Sequence, residues 1–191
     1  MKLSKIEQKL KGALDEKRYT HSLGVSYTAC ALAMKYGCDI DKARLAGILH
    51  DCAKHLSGDR LLELALKYKL PVSEVEKKNP FLLHGKVGAL IANRKFDIED
   101  ADILNAITYH TTGRPSMSLL EKIIFISDYI EPGRSSQPDL SIVRSLAFND
   151  LDMCLLKILE DSLLYLKSKD MPIDPGTEET YNYYVKECVI K

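Results

Sequence analysis

The sequence predicts an all-α domain, on three observations. Apolar residues recur three and four apart nearly throughout, the spacing that places them on one side of a helix. Alternating strand patterns are absent. The breaks between periodic stretches carry turn chemistry: Gly37-Cys38-Asp39, Leu70-Pro71, Asn79-Pro80, Gly113-Arg114-Pro115, Pro132-Gly133 and Pro172 to Gly176.

The elements follow in chain order. A first helix is expected over 3–16 on the stripe Leu3, Ile6, Leu10 and Leu14, which can pack internally or form a homodimer seam, internal packing being preferred. A helix over 20–36 places His21 in line with Val25, Ala29, Leu32 and Tyr36. One over 41–53 carries the apolar run Leu45 to Leu49 and ends in His50-Asp51. A helix over 57–68 follows. One over 84–96 aligns His84 with Val87, Gly88 and Ile91, and one over 99–111 sets His110 behind Ile103 and Ile107. The helix over 118–130 sets Asp128 behind Leu120, Ile124 and Phe125. Helices over 141–149, 150–168 and 177–188 complete the chain. Thr20, Ser57, Ser73, Ser118 and Thr177 read as helix caps. With 191 residues and no repeat, low-complexity tract or linker, 1–191 reads as one domain able to bury a real core.

Composition narrows the function. Lys+Arg and Asp+Glu are both 27, so the formal charge is zero. That argues against a nucleic-acid polymer or a membrane surface as partner, while leaving room for a local basic pocket. The start is charged, without a signal-peptide apolar region, and no apolar run is long enough to span a bilayer. The five cysteines include no Cys-x-x-Cys pair, which argues against a zinc ribbon or disulfide framework and fits a reducing cytoplasm. Cys52 reads as a small buried thiol.

Against that background stand His21, His50-Asp51, His84, His110 and Asp128. They use four of the five histidines, each on the apolar side of its segment. A lone histidine on such a face is usually a core residue bonded to a carbonyl. Four imidazoles and two carboxylates converging from separate helices are different, because a buried unpaired carboxylate is very costly. A metal centre in a cleft between helices compensates it. Imidazole with carboxylate suits Fe, Mn, Co, Ni or Zn better than Ca or Mg, and Asp51 could bridge two ions. Irregular segments 111–117, 131–140 and 168–177 would line the entrance. Lys54 shares the face of His50 and Asp51, and Arg134 follows Asp128 just beyond its helix; both read as phosphate contacts. Arg18 reads as a solvated charge or a structural ion pair. Glu131 reads equally as an acid–base group or a helix-end charge, and His55 as an exposed side chain.

These residues carry a resemblance. The series His21…His50-Asp51…His84…His110…Asp128 resembles the HD-domain metal-dependent phosphohydrolases. More narrowly, Arg18-Tyr19-Thr20-His21-Ser22-Leu23-Gly24-Val25, His50-Asp51-Cys52-Ala53-Lys54, His84-Gly85, Tyr109-His110-Thr111-Thr112-Gly113 and Ser127-Asp128-Tyr129-Ile130-Glu131-Pro132-Gly133-Arg134 look like the bacterial YqeK family. That resemblance implies a single all-α HD domain with its metal in the core cleft. It implies a symmetrical bis(5'-nucleosyl)-tetraphosphatase, a hydrolase that cleaves diadenosine tetraphosphate to two ADP. The implied cofactor is one or two divalent transition ions, iron first, with Mn, Co or Ni as alternatives. His21, His50, Asp51 and Asp128 match the first-metal ligands. His84 and His110 match positions that face the phosphates or bind a second metal. Asp51, Lys54, His84 and His110 form the implied catalytic group. Lys54, Thr111 and Arg134 match phosphate contacts, with His21, His84, His110 and Asp128 also adjoining substrate. The run Lys169-Asp170-Met171-Pro172-Ile173-Asp174 resembles a nucleotide-contacting loop. Asp174 stands where relatives often carry histidine, and Tyr181-Asn182 where arginine-asparagine is common. In the implied mechanism protonated His84 or His110 helps neutralise charge on the phosphoryl oxygens. The competing readings are an HD nucleotidase or alarmone hydrolase, a di-iron oxygenase, and a nucleotide-binding regulator with a non-catalytic metal site.

Overall fold

The computed structural model describes residues 2–189 and is helical nearly throughout, with no strand among those residues. The elements are α1 (Leu3–Ala13), α2 (Glu16–Tyr36), α3 (Ile40–Leu49), α4 (Gly58–Lys67), α5 (Glu74–Lys78), a 3₁₀ turn (Pro80–Leu83), α6 (His84–Phe96), α7 (Ala101–Tyr109), α8 (Leu119–Ile130), α9 (Leu140–Asn149), α10 (Leu151–Ser168) and α11 (Pro175–Val189). No helix is long and apolar enough to cross a membrane, among the described residues.

Local chemistry sets the boundaries, and several differ from the sequence expectation. Thr20 lies inside α2, because Asp15 caps that helix by accepting from Arg18 N–H at 2.8 Å. α3 ends at Leu49, so His50 and Asp51 stand in the turn that follows rather than within a helix to 53. Segment 74–83, where the sequence predicts no helix, forms α5 and the 3₁₀ turn; Ser73 and Glu76 close a capping box at its start. Thr177 lies inside α11: Asp174 accepts from Gly176 N–H with its carboxylate (2.8 Å) and from Thr177 N–H with its carbonyl (2.9 Å). Ser57 and Ser118 cap α4 and α8 as expected.

One large core draws on α1–α3 and α6–α11, with Ile6, Leu32, Leu49, Ile107, Ile124, Leu155 and Tyr184 all buried in it. Burying each such Leu or Ile contributes roughly 1.5–3 kcal/mol. Ile6, Leu10 and Leu14 are among them, so the α1 stripe packs internally. A smaller cluster, Ala53, Leu61, Ala65, Leu83 and Val87, seats α4 and the 3₁₀ turn under α6. α2 and α3 make the most extensive helix pair. Their approach depends on Gly47: a Cβ there would lie 2.7 Å from Ser26 Cα. This close crossing brings the turn after α3 against the first turns of α2, and α8 packs on both.

Candidate metal centre

Five segments converge on one buried point. α2 brings His21. The turn after α3 brings His50, Asp51 and Lys54. α6 opens on His84, α7 is followed by His110 and Thr111, and the last turn of α8 carries Asp128. His50, Asp51, His84 and His110 are buried. Three sets, His21–His50–Asp51, His50–His110–Asp128 and Asp51–His84–His110, each hold ligand atoms within 4.8 Å of one another. All six residues singled out in the sequence are therefore together.

The imidazoles are oriented by what lies behind them. His50 Nδ1 is 2.8 Å from Gly47 O, His84 Nδ1 2.6 Å from Phe81 O, and His110 Nδ1 2.7 Å from Ile107 O. A carbonyl oxygen only accepts, so each Nδ1 carries the proton and each Nε2 lone pair faces the centre. His21 Nδ1 faces Glu131 Oε1 at 3.0 Å. Imidazoles held from behind by a carbonyl or carboxylate are the usual arrangement of metal ligands.

The lone pairs then crowd together, and not all of them find a donor. His84 Nε2 and His110 Nε2 are 3.1 Å apart. Two neutral imidazoles in these tautomers have no proton to share there, so the contact is repulsive unless a cation joins it; the Lys54 ammonium stands beside it, 3.1 Å from His84 Nε2. His50 Nε2 and Asp51 Oδ1 are buried with no hydrogen-bond partner, a condition that costs about 1–3 kcal/mol per group. Asp51 addresses both halves of the cluster. Its Oδ1 lies 3.4 and 3.5 Å from Nε2 of His84 and His110, and its Oδ2 3.6 and 4.0 Å from Nε2 of His50 and His21. His21 Nε2 lies 2.9 Å from Asp128 Oδ1. The donor set fits one or two divalent transition cations, with Asp51 placed to bridge.

Burial drives His50 down to about 4 and, with the charges of His110 and Lys54, His84 down to about 3. His84 is thus neutral, the state a ligand needs, and not the protonated group the sequence reading invoked for charge neutralisation. For His21, burial opposes the charged form, but Asp128 and Glu131 outweigh it and hold the ring above its ordinary value. Burial works against both carboxylates too. Even so, His50 and His110 keep Asp51 well below the usual range, and His21 with His50 do so for Asp128.

Cations ring the centre. Arg18 contacts Asp51 Oδ2 and Arg134 contacts Asp128 Oδ1, each at 2.6 Å. Lys54 Nζ lies 3.1 Å from His84 Nε2, where burial lowers its pKa, and Thr111 Oγ1 lies 3.3 Å from the same nitrogen. Loop 169–174 stands apart: its hydrogen bonds run to α10 and α11 and not to the cluster. It adjoins the site only through its continuation, where a Cβ on Gly176 would lie 4.0 Å from Thr112 Cβ. Glu131 is the residue that sequence reasoning left undecided. It is buried, holds His21 and accepts from Gly133 N–H at 2.6 Å; only the EPGR run after Asp128 hinted at it. His55 lines a different cavity. Cys52 is a core thiol that burial pushes up to about 12.

A cavity of about 720 Å³ opens beside His21, lined by α2 and by 131–134.

Known proteins resemble this arrangement. The family model described as "HD domain" matches residues 18–133. A protein of Bacillus subtilis (strain 168) named "Bis(5'-nucleosyl)-tetraphosphatase, symmetrical" is 42% identical over 92% of this chain and 94% of its own. A protein of the same name from Halalkalibacterium halodurans is 43% identical over 98% of this chain and 99% of its own. The crystal structure of an HD superfamily hydrolase described as involved in NAD metabolism, from Clostridium acetobutylicum, superposes with a TM-score of 0.95. It is 42% identical and covers 98% of each chain.

Proposed function

We propose that this chain, which belongs to the HD domain family, hydrolyses diadenosine tetraphosphate to two ADP at the centre described above. Water adds to one of the two inner phosphorus atoms, and the bridging P–O bond to the other half breaks. The observation that carries the reading is Asp51, whose two oxygens address two pairs of inward-facing imidazoles while Oδ1 has no partner of its own.

His21, His50, Asp51 and Asp128 would hold a first ion, and His84 and His110 would hold a second with Asp51 or face the phosphates. Iron is the proposed metal, with Mn, Co or Ni as substitutes. A divalent ion there supplies Lewis acidity, lowering the pKa of water and drawing charge from phosphoryl oxygens. The chain supplies the rest. Glu131 and three backbone carbonyls keep the Nε2 lone pairs aimed inward. Lys54 and Arg134 would neutralise the charge that gathers on the phosphoryl oxygens, and Thr111 offers a hydroxyl 3.3 Å from His84 Nε2. Arg134 holds Asp128 in place through its side chain and its carbonyl. Lys169, Asp170, Met171, Pro172, Ile173 and Asp174 form the proposed nucleotide loop. Asp174 is engaged at the start of α11, so base contacts there fall to backbone groups and to Met171 and Ile173. The proposal treats 1–191 as one domain, supported by α9–α11 sharing the core of α8. The thiols of Cys30, Cys38, Cys52 and Cys154 suit a cytoplasmic setting. A dimer through α1 forms no part of it.

The test is product identity. Iron-loaded, anaerobic protein is incubated with diadenosine tetraphosphate and the nucleotides are separated. ADP alone, lost in Asp51→Ala and on chelation, is expected. ATP plus AMP refutes symmetric cleavage, and no turnover with any metal refutes the substrate.

A further inference from the structure

The substrate of the proposed reaction has two identical ends, while the centre has two different sides. Lys54, Thr111 and the His84–His110 pair stand on one side of Asp51, with loop 169–174 beyond them. On the other side are Arg18 and Arg134, on Asp51 Oδ2 and Asp128, and there the cavity of about 720 Å³ opens. Its lining comes from Asp15, α2 and residues 131–134, and includes no part of 111–113 or 169–176. Its size falls in the range of pockets for small ligands, about 300–1,000 Å³.

We infer that this cavity is the half-site for the second nucleoside, with Tyr27 as the platform for its base; the inference rests on the diadenosine tetraphosphate reading above. The polarity of the cavity runs the right way. At the metal end are His21, Arg18 and Arg134, the two arginine side chains 33% and 32% exposed and able to meet phosphate. Along α2 the lining runs from Asp15, Lys17 and Arg18 past His21 to Leu23 and Tyr27, so its apolar and aromatic part is the part beyond His21. Tyr27 is 59% exposed, a large aromatic surface with nothing covering it. Six residues of helix separate it from His21, about 9 Å along the axis, a span that a diphosphate and ribose can bridge. Between them lies Gly24, where a Cβ would strike Glu131 Oε2 at 2.5 Å. The bare backbone there keeps the floor smooth and lets Glu131 reach His21. With a base-sized anchor on each side, the inner phosphates come to rest over the ligands, which is the register that symmetric cleavage requires.

The experiment compares Tyr27→Ala, Tyr27→Phe and Met34→Ala in the metal-loaded protein, with diadenosine tetraphosphate as substrate. Met34 is 65% exposed on the same helix and lies outside the cavity. Tyr27→Ala is expected to raise KM roughly tenfold, the scale of one base–aromatic stack. Tyr27→Phe restores KM and Met34→Ala leaves it unchanged. A wild-type KM in Tyr27→Ala, or an equal rise in Met34→Ala, overturns the half-site while leaving the activity standing. Wild-type protein that leaves the substrate intact overturns the activity reading itself.

Discussion

Replacing Glu131 by glutamine tests whether the imidazoles are aimed from behind. The carboxylate does two things: Oε1 meets His21 Nδ1 at 3.0 Å and Oε2 accepts from Gly133 N–H at 2.6 Å. Glutamine has the same shape, so its carbonyl oxygen can keep the Gly133 bond. Its amide NH₂ then faces His21 Nδ1, donor against donor. His21 must shed that proton to the other nitrogen or turn its ring, and either change removes the Nε2 lone pair from the centre. Loss of such a supporting partner typically costs about 10–100-fold in metal affinity, or about 1.4–2.7 kcal/mol. The assay is competition for the metal against a chromogenic chelator at fixed pH, alongside melting of the chelated protein. Affinity should fall by one to two powers of ten while the chelated variant melts near the wild type. Unchanged affinity refutes the orientation argument. A melting temperature lowered equally with and without metal means that Glu131 serves the fold instead.

Two further outcomes follow from the geometry. Gly47→Ala should destabilise the protein by about 2 kcal/mol or more, since the new Cβ meets Ser26 Cα at 2.7 Å and α2 and α3 must part; it should also weaken metal binding, because Gly47 O orients His50. Chemical denaturation reads the first effect and chelator competition the second, and a variant as stable as wild type refutes the packing. Chelated protein should lose stability as pH falls from about 6.5 toward 4, by at most about 1.4 kcal/mol per pH unit for each histidine. In that window the unfolded chain protonates His50 and His84, while the folded chain holds them neutral down to about 4 and about 3. His21, raised in the fold, is charged in both states there, and Asp51 and Asp128 begin to lose stability only below about 3.8, their unfolded value. Equal stability at pH 7 and pH 5 refutes the assignment.

The helices and the ligand set were legible because each is written locally. Periodicity marks a helix, and a histidine or aspartate at an apolar position marks a ligand. The shortest elements escaped: α5 has too few residues for a period, and Pro71 and Pro80 on either side pointed to a loop, although Ser73 and Glu76 already spelled its capping box. Caps were misplaced where two polar residues competed, as Asp15 with Thr20 and Asp174 with Thr177. Glu131 was undecidable because its meaning lies in His21, 110 residues away in sequence. The same holds for Arg18 on Asp51 across 33 residues, where composition allowed the ion pair without requiring it.

Three of the four imidazoles donate to the carbonyl of the residue three before them, at His50, His84 and His110. Each ligand therefore travels with its own aiming device, contained in four consecutive residues at a helix end. The interior between these helices can be repacked without turning a ring, provided the backbone ends stay in place. For a protein engineer this makes the centre modular: three tetrapeptides, Gly47–His50, Phe81–His84 and Ile107–His110, are self-contained cassettes that could be grafted onto other helix termini of suitable spacing.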